Sequence, residues 1–89
     1  MLGEKWKLLV IIELGKRDWM RFGELQHALS GINQKVLTSA LRGLERDGIV
    51  KRVAYAELPP RVEYALTERG LGALDVVRAL HSWAELSGL

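Results

Sequence analysis

The chain has 89 residues, a usual size for one domain and too few for two. Its 48% hydrophobic content is an adequate aliphatic supply, but a core this small is marginal alone and gains from association that buries more apolar surface. The absence of cysteine excludes disulfides, cysteine-ligated zinc and thiol switching within these residues, and a formal net charge of +2 argues against a tail that coats nucleic acid indiscriminately.

In chain order, the apolar run Leu8 to Ile12 follows Lys5 and Lys7, the order of a signal peptide's charged start and apolar core. It is too short for that and Glu13 ends it, so it reads as a buried helix of a cytoplasmic protein with no membrane segment. Gly15-Lys16-Arg17-Asp18 is the turn into a short edge strand near Trp19 to Arg21. Phe22, Leu25 and Leu29 then recur at helical spacing, and Ser30-Gly31 closes that short helix before Ile32 and the N-cap Asn33. Two helices joined by a tight glycine turn make a helix-turn-helix.

The third helix carries the strongest signal. At about 100° per residue, Gln34, Lys35, Thr38, Ser39, Arg42 and Arg46 gather on one side, and Val36, Leu37, Ala40, Leu41 and Leu44 on the other. Arginine and lysine fork onto guanine O6/N7, glutamine pairs with adenine N6/N7, and serine or threonine meets groove or backbone. No carboxylate sits at the centre of this face. Glu45 is at its rim and Asp47 at the edge of the apolar side, near the C-terminal end, which suits a helix entering DNA N-terminus first. A charged helical face is more commonly a solvated surface and nothing else, so the flanking chain decides the matter.

After the third helix, Gly48 supplies a left-handed stop. Ile49 to Tyr55 and Val62 to Leu66 have the β-branched and aromatic content of strands, with Val62, Tyr64 and Leu66 alternating against Glu63 and Ala65 to give one buried face. Between them Ala56-Glu57-Leu58-Pro59-Pro60 cannot continue a ladder, because neither proline has an N–H. The result is a hairpin with a stiff projecting tip, a wing. Between residues 34 and 61, Lys35, Arg42, Arg46, Lys51, Arg52 and Arg61 face Glu45, Asp47 and Glu57. From 62 to 89, Arg69 and Arg78 face Glu63, Glu68, Asp75 and Glu85. Positive charge sits where the reading helix and wing are.

The last helix starts at Thr67, whose hydroxyl caps, with Glu68 in the first turn. Leu71, Ala73, Leu74, Val76, Val77, Leu80, Trp83 and Ala84 cover more than one stripe, a surplus that predicts a two-fold partner as against burial within the monomer.

Enzyme chemistry finds no constellation. Glu24 and His27 share a helical face, and His81 and Glu85 form an i, i+4 pair, but two histidines without cysteines make a poor zinc site. The serines lack a nucleophile-elbow context, and Gly70-Leu71-Gly72 lacks the preceding strand and remaining glycine of a dinucleotide loop. Trp6, Trp19 and Trp83 are candidates for lining an effector crevice, although tryptophans at helical positions are more often core. The sequence specifies no effector.

The run QKVLTSALRGLERDGIVKRVAYAELPPRVEYALTERG resembles the HxlR-type winged helix-turn-helix transcriptional regulators, relatives of the MarR group. The likeness begins at Gly3-Glu4-Lys5-Trp6-Lys7-Leu8-Leu9, similar to the family's opening Lys-Trp helix, passes through Arg21-Phe22-Gly23-Glu24-Leu25, and ends near Trp83. Its most specific element is PPRVEYAL from Pro59 to Leu66 followed by Thr67-Glu68, which joins wing tip, second wing strand and helix start. The resemblance implies a homodimeric DNA-binding repressor or activator. Members of the family often carry an N-terminal arm with a reactive cysteine. Here the sequence begins almost at the Lys-Trp helix and holds no Cys, a departure from that pattern that leaves open the dimer contacts such an arm makes elsewhere in the family.

The expectation is thus a mainly α chain with a small β-sheet, a winged helix-turn-helix with three N-terminal helices. It forms a single domain over residues 1–89, with the helix-turn-helix at about 22–47, the wing at about 49–66 and a C-terminal dimerisation helix at about 67–86. Its partners are double-stranded DNA and a second copy of itself, with no cofactor and no metal. Gln34, Lys35, Thr38, Ser39 and Arg42 are the candidates for base or adjacent phosphate contact, Arg46 for backbone, and Arg61 and Arg52 for phosphate or the minor groove. Trp6, Val76, Leu80, Trp83 and Ala84 are the candidates for the dimer interface. The alternative is a winged helix that docks onto another protein without specific DNA binding.

Overall fold

The computed structural model describes residues 2–86 and 88. Helices α1 (Leu2–Leu14), α2 (Phe22–Ala28) and α3 (Gln34–Arg46) precede an antiparallel hairpin of β1 (Val50–Tyr55) and β2 (Arg61–Leu66), and α4 (Glu68–Leu86) closes the order. The core lies where α1, α2 and α3 meet. Val10, Leu14, Leu25, Leu37 and Leu41 are its fully buried centre, and Val50, Tyr64 and Leu74 close it from the hairpin and α4. Each buried aliphatic side chain contributes about 1.5–3 kcal/mol relative to an exposed one, so α3 is fastened chiefly through its leucine ridge.

Local signals set the helix ends. The Asn33 side chain accepts a hydrogen bond from the Val36 N–H at 2.8 Å, satisfying one of the orphan donors of α3's first turn. Gly48, at φ +73°, ends the excursion beyond Arg46 in the left-handed region that glycine enters without a Cβ penalty. At the start of α2, the Glu24 carboxylate accepts from the Arg21 backbone N–H at 2.9 Å and pairs with Arg17 at 3.1 Å. The Arg21 hydrogen bond, with help from the Arg17 guanidinium, holds the Glu24 carboxyl below its ordinary range.

The expected edge strand near Trp19 to Arg21 contracts to one bridge, in which Met20 and Tyr64 exchange both backbone hydrogen bonds at 2.8 Å. The ladder stops there because Arg21 is already the N-cap of α2 and its N–H is taken by Glu24. The alternation expected for β2 also needs correction. Tyr64 is buried as expected, and Val62 and Leu66 are half-buried, but Glu63 and Ala65, expected outward, are buried too. For Glu63 the cover includes the Arg61 guanidinium, whose Nε lies 3.5 Å from the carboxylate.

Thr67 holds a corner of the fold. Its N–H donates to the Ile49 carbonyl at 3.1 Å, its hydroxyl points at the Gly48 carbonyl with that of Ile49 at 3.2 Å, and its oxygen accepts from the Gly70 N–H at 3.0 Å. Gly70 is needed at this corner, since a Cβ there would lie 2.1 Å from the Ile49 carbonyl oxygen. Beyond Leu74, which is 3% exposed, no residue of α4 is buried.

Candidate nucleic-acid interface

Capped at Asn33 and anchored by Leu37, Ala40, Leu41 and Leu44, α3 turns its other side outward. Gln34, Lys35, Ser39, Arg42 and Arg46 are exposed and Thr38 is half-buried. These six side chains line one open depression of about 610 Å³, so the polar face read from the helical wheel is a continuous surface. No acid occupies the first turn of α3. Glu45 is half-buried and Asp47, the C-cap, is exposed, both at the far end of the helix. An anion approaching the N-terminal half meets the Lys35 ammonium, amide and hydroxyl groups, and the positive end of the helix dipole, with Arg42 next along the face.

The hairpin stands beside α3 with the register Val50↔Leu66, Arg52↔Tyr64 and Tyr55↔Arg61. Cross-strand partners share a face, so Arg52 lies on the side of Val50 and Tyr64. Its own side chain is exposed, as is that of Lys51. Residues 56–60 are exposed throughout, and Leu58 at the tip is 99% accessible. Arg61 is placed differently from Arg52. It is half-buried, stacked over the Tyr55 ring at 4.4 Å from the centroid, and paired with Glu57 at 3.2 Å and Glu63 at 3.5 Å. Tyr55, Glu57 and Glu63 were not among the residues singled out from the sequence. The hairpin register would have placed Tyr55 opposite Arg61, and i, i+4 spacing hints at Glu57, but the burial of Glu63 has no local signature.

On α4, Val76, Leu80 and Trp83 are each 60% exposed, and Leu8 of α1 is 46% exposed. Ala84 is half-buried. Trp6 is half-buried and packs against the core cluster, so much of it is already engaged within the chain. Leu8, Leu9, Ile12, Val77 and Leu80 bound an open, mainly apolar cavity of about 310 Å³ between α1 and α4. Trp19, one of the possible crevice-lining residues, is 41% exposed and remote in sequence from the other two. Of the histidine pairs, His81 meets Glu85 at 2.9 Å on the surface, while Glu24 is engaged by Arg17 and Arg21. No helix among the described residues is long and apolar enough to cross a membrane.

A recognition helix preceded by a short helix and followed by a two-stranded hairpin defines a winged helix-turn-helix. Residues 1–88 match the model of the HxlR-like helix-turn-helix family. A protein of Fusobacterium mortiferum named as the regulatory protein MalR is 37% identical over 84 residues, covering 94% of this chain and 79% of that protein. An HTH-type transcriptional regulator of Methanothermobacter thermautotrophicus is 42% identical over 87 residues, covering 98% of this chain and 66% of its own length. A crystal structure of a MarR-family transcriptional regulator from Enterococcus faecalis V583 superposes with a TM-score of 0.86 at 48% identity, covering 94% of this chain and 76% of that one. The chain belongs to the HxlR-like helix-turn-helix family, whose members are transcriptional regulators and not enzymes.

Proposed function

We propose that this protein is a cytoplasmic, homodimeric regulator that binds a pseudo-palindromic operator, with α3 of each subunit in the major groove and the wing against the flanking backbone or minor groove. The observation that carries the reading is the outward polar face of α3, where Lys35, Arg42 and Arg46 share one open surface with Gln34, Thr38 and Ser39. That set supplies forked donors for guanine, an amide for adenine and hydroxyls for phosphate. Gln34, Lys35, Thr38, Ser39 and Arg42 are assigned base or nearby phosphate contacts, Arg46 the backbone, and Arg52 and Arg61 the wing's contacts.

Dimerisation is supported by the exposed apolar side of α4. Val76, Leu80 and Trp83, four and three residues apart on one face of the helix, present large side chains to solvent, and Leu80 shares its cavity with Leu8; exposed apolar side chains so grouped are what partners cover. Trp6 and Ala84, both half-buried, border the contact. A two-fold dimer sets half-site centres about 10 bp, or multiples of a helical turn, apart.

Titration of a labelled duplex carrying the gene's own upstream region, against a scrambled duplex of equal length, tests the reading. Tight, salt-dependent binding to the first and far weaker binding to the second is the expected result. Equal, weak binding to both would favour a winged helix that docks onto a protein instead.

A further inference from the structure

Gly43 is buried although it borders the polar face of α3, being four residues after Ser39 and three before Arg46 on the same flank of the helix. Its cover comes from α1. A Cβ at Gly43 would lie 2.7 Å from both Cε and Nζ of Lys7, and 3.8 Å from an Nη of Arg46. The lysine stem therefore crosses α3 in the furrow that the missing side chain leaves. Its ammonium reaches the flank where Arg46 stands, and the two cationic heads are no further apart than the sum of those distances. Glycine is disfavoured in a helix interior relative to alanine, and here its absent methyl is what admits the lysine.

Among the described residues, neither cation is answered by a carboxylate. The ion pairs among the described residues engage Lys16, Arg17, Arg61 and His81, and neither Lys7 nor Arg46 makes one. Two like charges brought together without a counter-ion repel each other weakly in solvent and jointly attract an anion. An ammonium with three donors beside a guanidinium fork suits the non-bridging oxygens of one phosphate.

We propose that Lys7 is a DNA-backbone contact delivered from outside the helix-turn-helix, forming with Arg46 the seat for one phosphate at the edge of the major groove. This rests on the DNA-binding reading above. It adds a residue of α1 to the contacting surface, and it gives Gly43 a role in binding.

The test is a set of anisotropy titrations of the full chain on its upstream duplex and a scrambled duplex between 50 and 200 mM KCl. Lys7→Met keeps an unbranched stem in the furrow and removes the charge. It is expected to weaken binding to both duplexes and to lower the slope of log affinity against log salt by about 0.9, so that the wild-type advantage shrinks about threefold across that range. Lys7→Arg is expected to restore the slope. Gly43→Ala, which keeps both charges but displaces the lysine tip, is expected to reproduce the loss, and it carries the test if Lys7→Met does not fold. Wild-type slope and affinity in folded Lys7→Met, alongside a steep salt dependence of the wild type, would overturn this assignment and leave the DNA-binding reading intact. A wild type whose binding ignores salt would overturn both.

Discussion

The Arg61 guanidinium lies over the ring of Tyr55, 4.4 Å from its centroid, across the register pair nearest the wing tip. Two carboxylates attend it, Glu57 at 3.2 Å and Glu63 at 3.5 Å. Its Nε is buried without a hydrogen-bond partner, so the approach of Glu63 has the distance of an ion pair and not the geometry of a hydrogen bond. The arginine is held ready and already partly neutralised. A phosphate reaching it competes first with Glu57, whose side chain is 49% exposed, and much less with Glu63 at 11%. An exposed pair of this kind is worth about 0.2–1 kcal/mol, so Glu57→Gln is expected to tighten binding to every duplex by up to about fivefold. Arg61→Gln is expected to weaken all sequences alike and flatten the salt dependence. Anisotropy on specific and scrambled duplexes reads both, and unchanged affinity in both variants would reduce the cluster to a brace for the hairpin.

Arg42 stands exposed in the α3 depression with no carboxylate partner among the described residues. If it forks onto a guanine, Arg42→Ala costs about 1–3 kcal/mol on the operator and relaxes preference at a single base pair. Binding measured on a panel of single-base operator variants distinguishes that pattern from uniform weakening, the mark of a phosphate contact.

Leu80 is 60% exposed on α4, one turn from Val76 and beside Trp83. Leu80→Glu sets a charge on this patch while disturbing little within the subunit. The expected outcome is a helical monomer by sedimentation whose affinity for a two-half-site operator falls toward that for a single half-site. A variant that sediments like wild type would move the dimer contact elsewhere.

Two glycines of α4 make a matched pair. A Cβ at Gly70 meets the Ile49 carbonyl oxygen at 2.1 Å, whereas a Cβ at Gly72 meets nothing within 4 Å. Gly70→Ala is expected to destabilise the fold by about 1–3 kcal/mol through overpacking. Gly72→Ala is expected to stabilise it by up to about 1 kcal/mol through helix propensity. Thermal unfolding followed by circular dichroism should show melting temperatures moving in opposite directions.

Asn33→Ala removes the acceptor of the Val36 N–H at the start of α3. A cost of about 0.5–2 kcal/mol is expected, and for a domain this small each kcal/mol lowers the melting temperature by roughly 4–8 °C. Operator affinity should fall further than stability alone explains, since the first turn of α3 also presents Gln34 and Lys35.

The elements legible in the sequence are those specified by neighbouring residues. Asn33 as a cap, Gly48 as a stop, the two faces of α3 and the wing's proline tip all follow from spacing or backbone chemistry within a few positions. Contacts between distant segments were not legible. Lys7 looks like an ordinary charge on the first helix until α1 crosses α3 at the one position lacking a side chain. Glu63 follows an outward pattern until Arg61 folds back over it. The strand expected near Trp19 shrinks to one bridge because Glu24, three residues further on, claims the Arg21 amide for a helix cap.

Thr67 gathers the end of the α3 segment, the root of β1 and the first turn of α4 around one side-chain oxygen. With Gly70 pressed against the same carbonyl, that junction is a welded elbow and not a pivot. If two copies join along α4 and bind DNA as proposed, this junction sets the pitch at which each α3 meets its groove from within the subunit. Any adjustment of the spacing between the two α3 helices would then have to come from the contact between the copies.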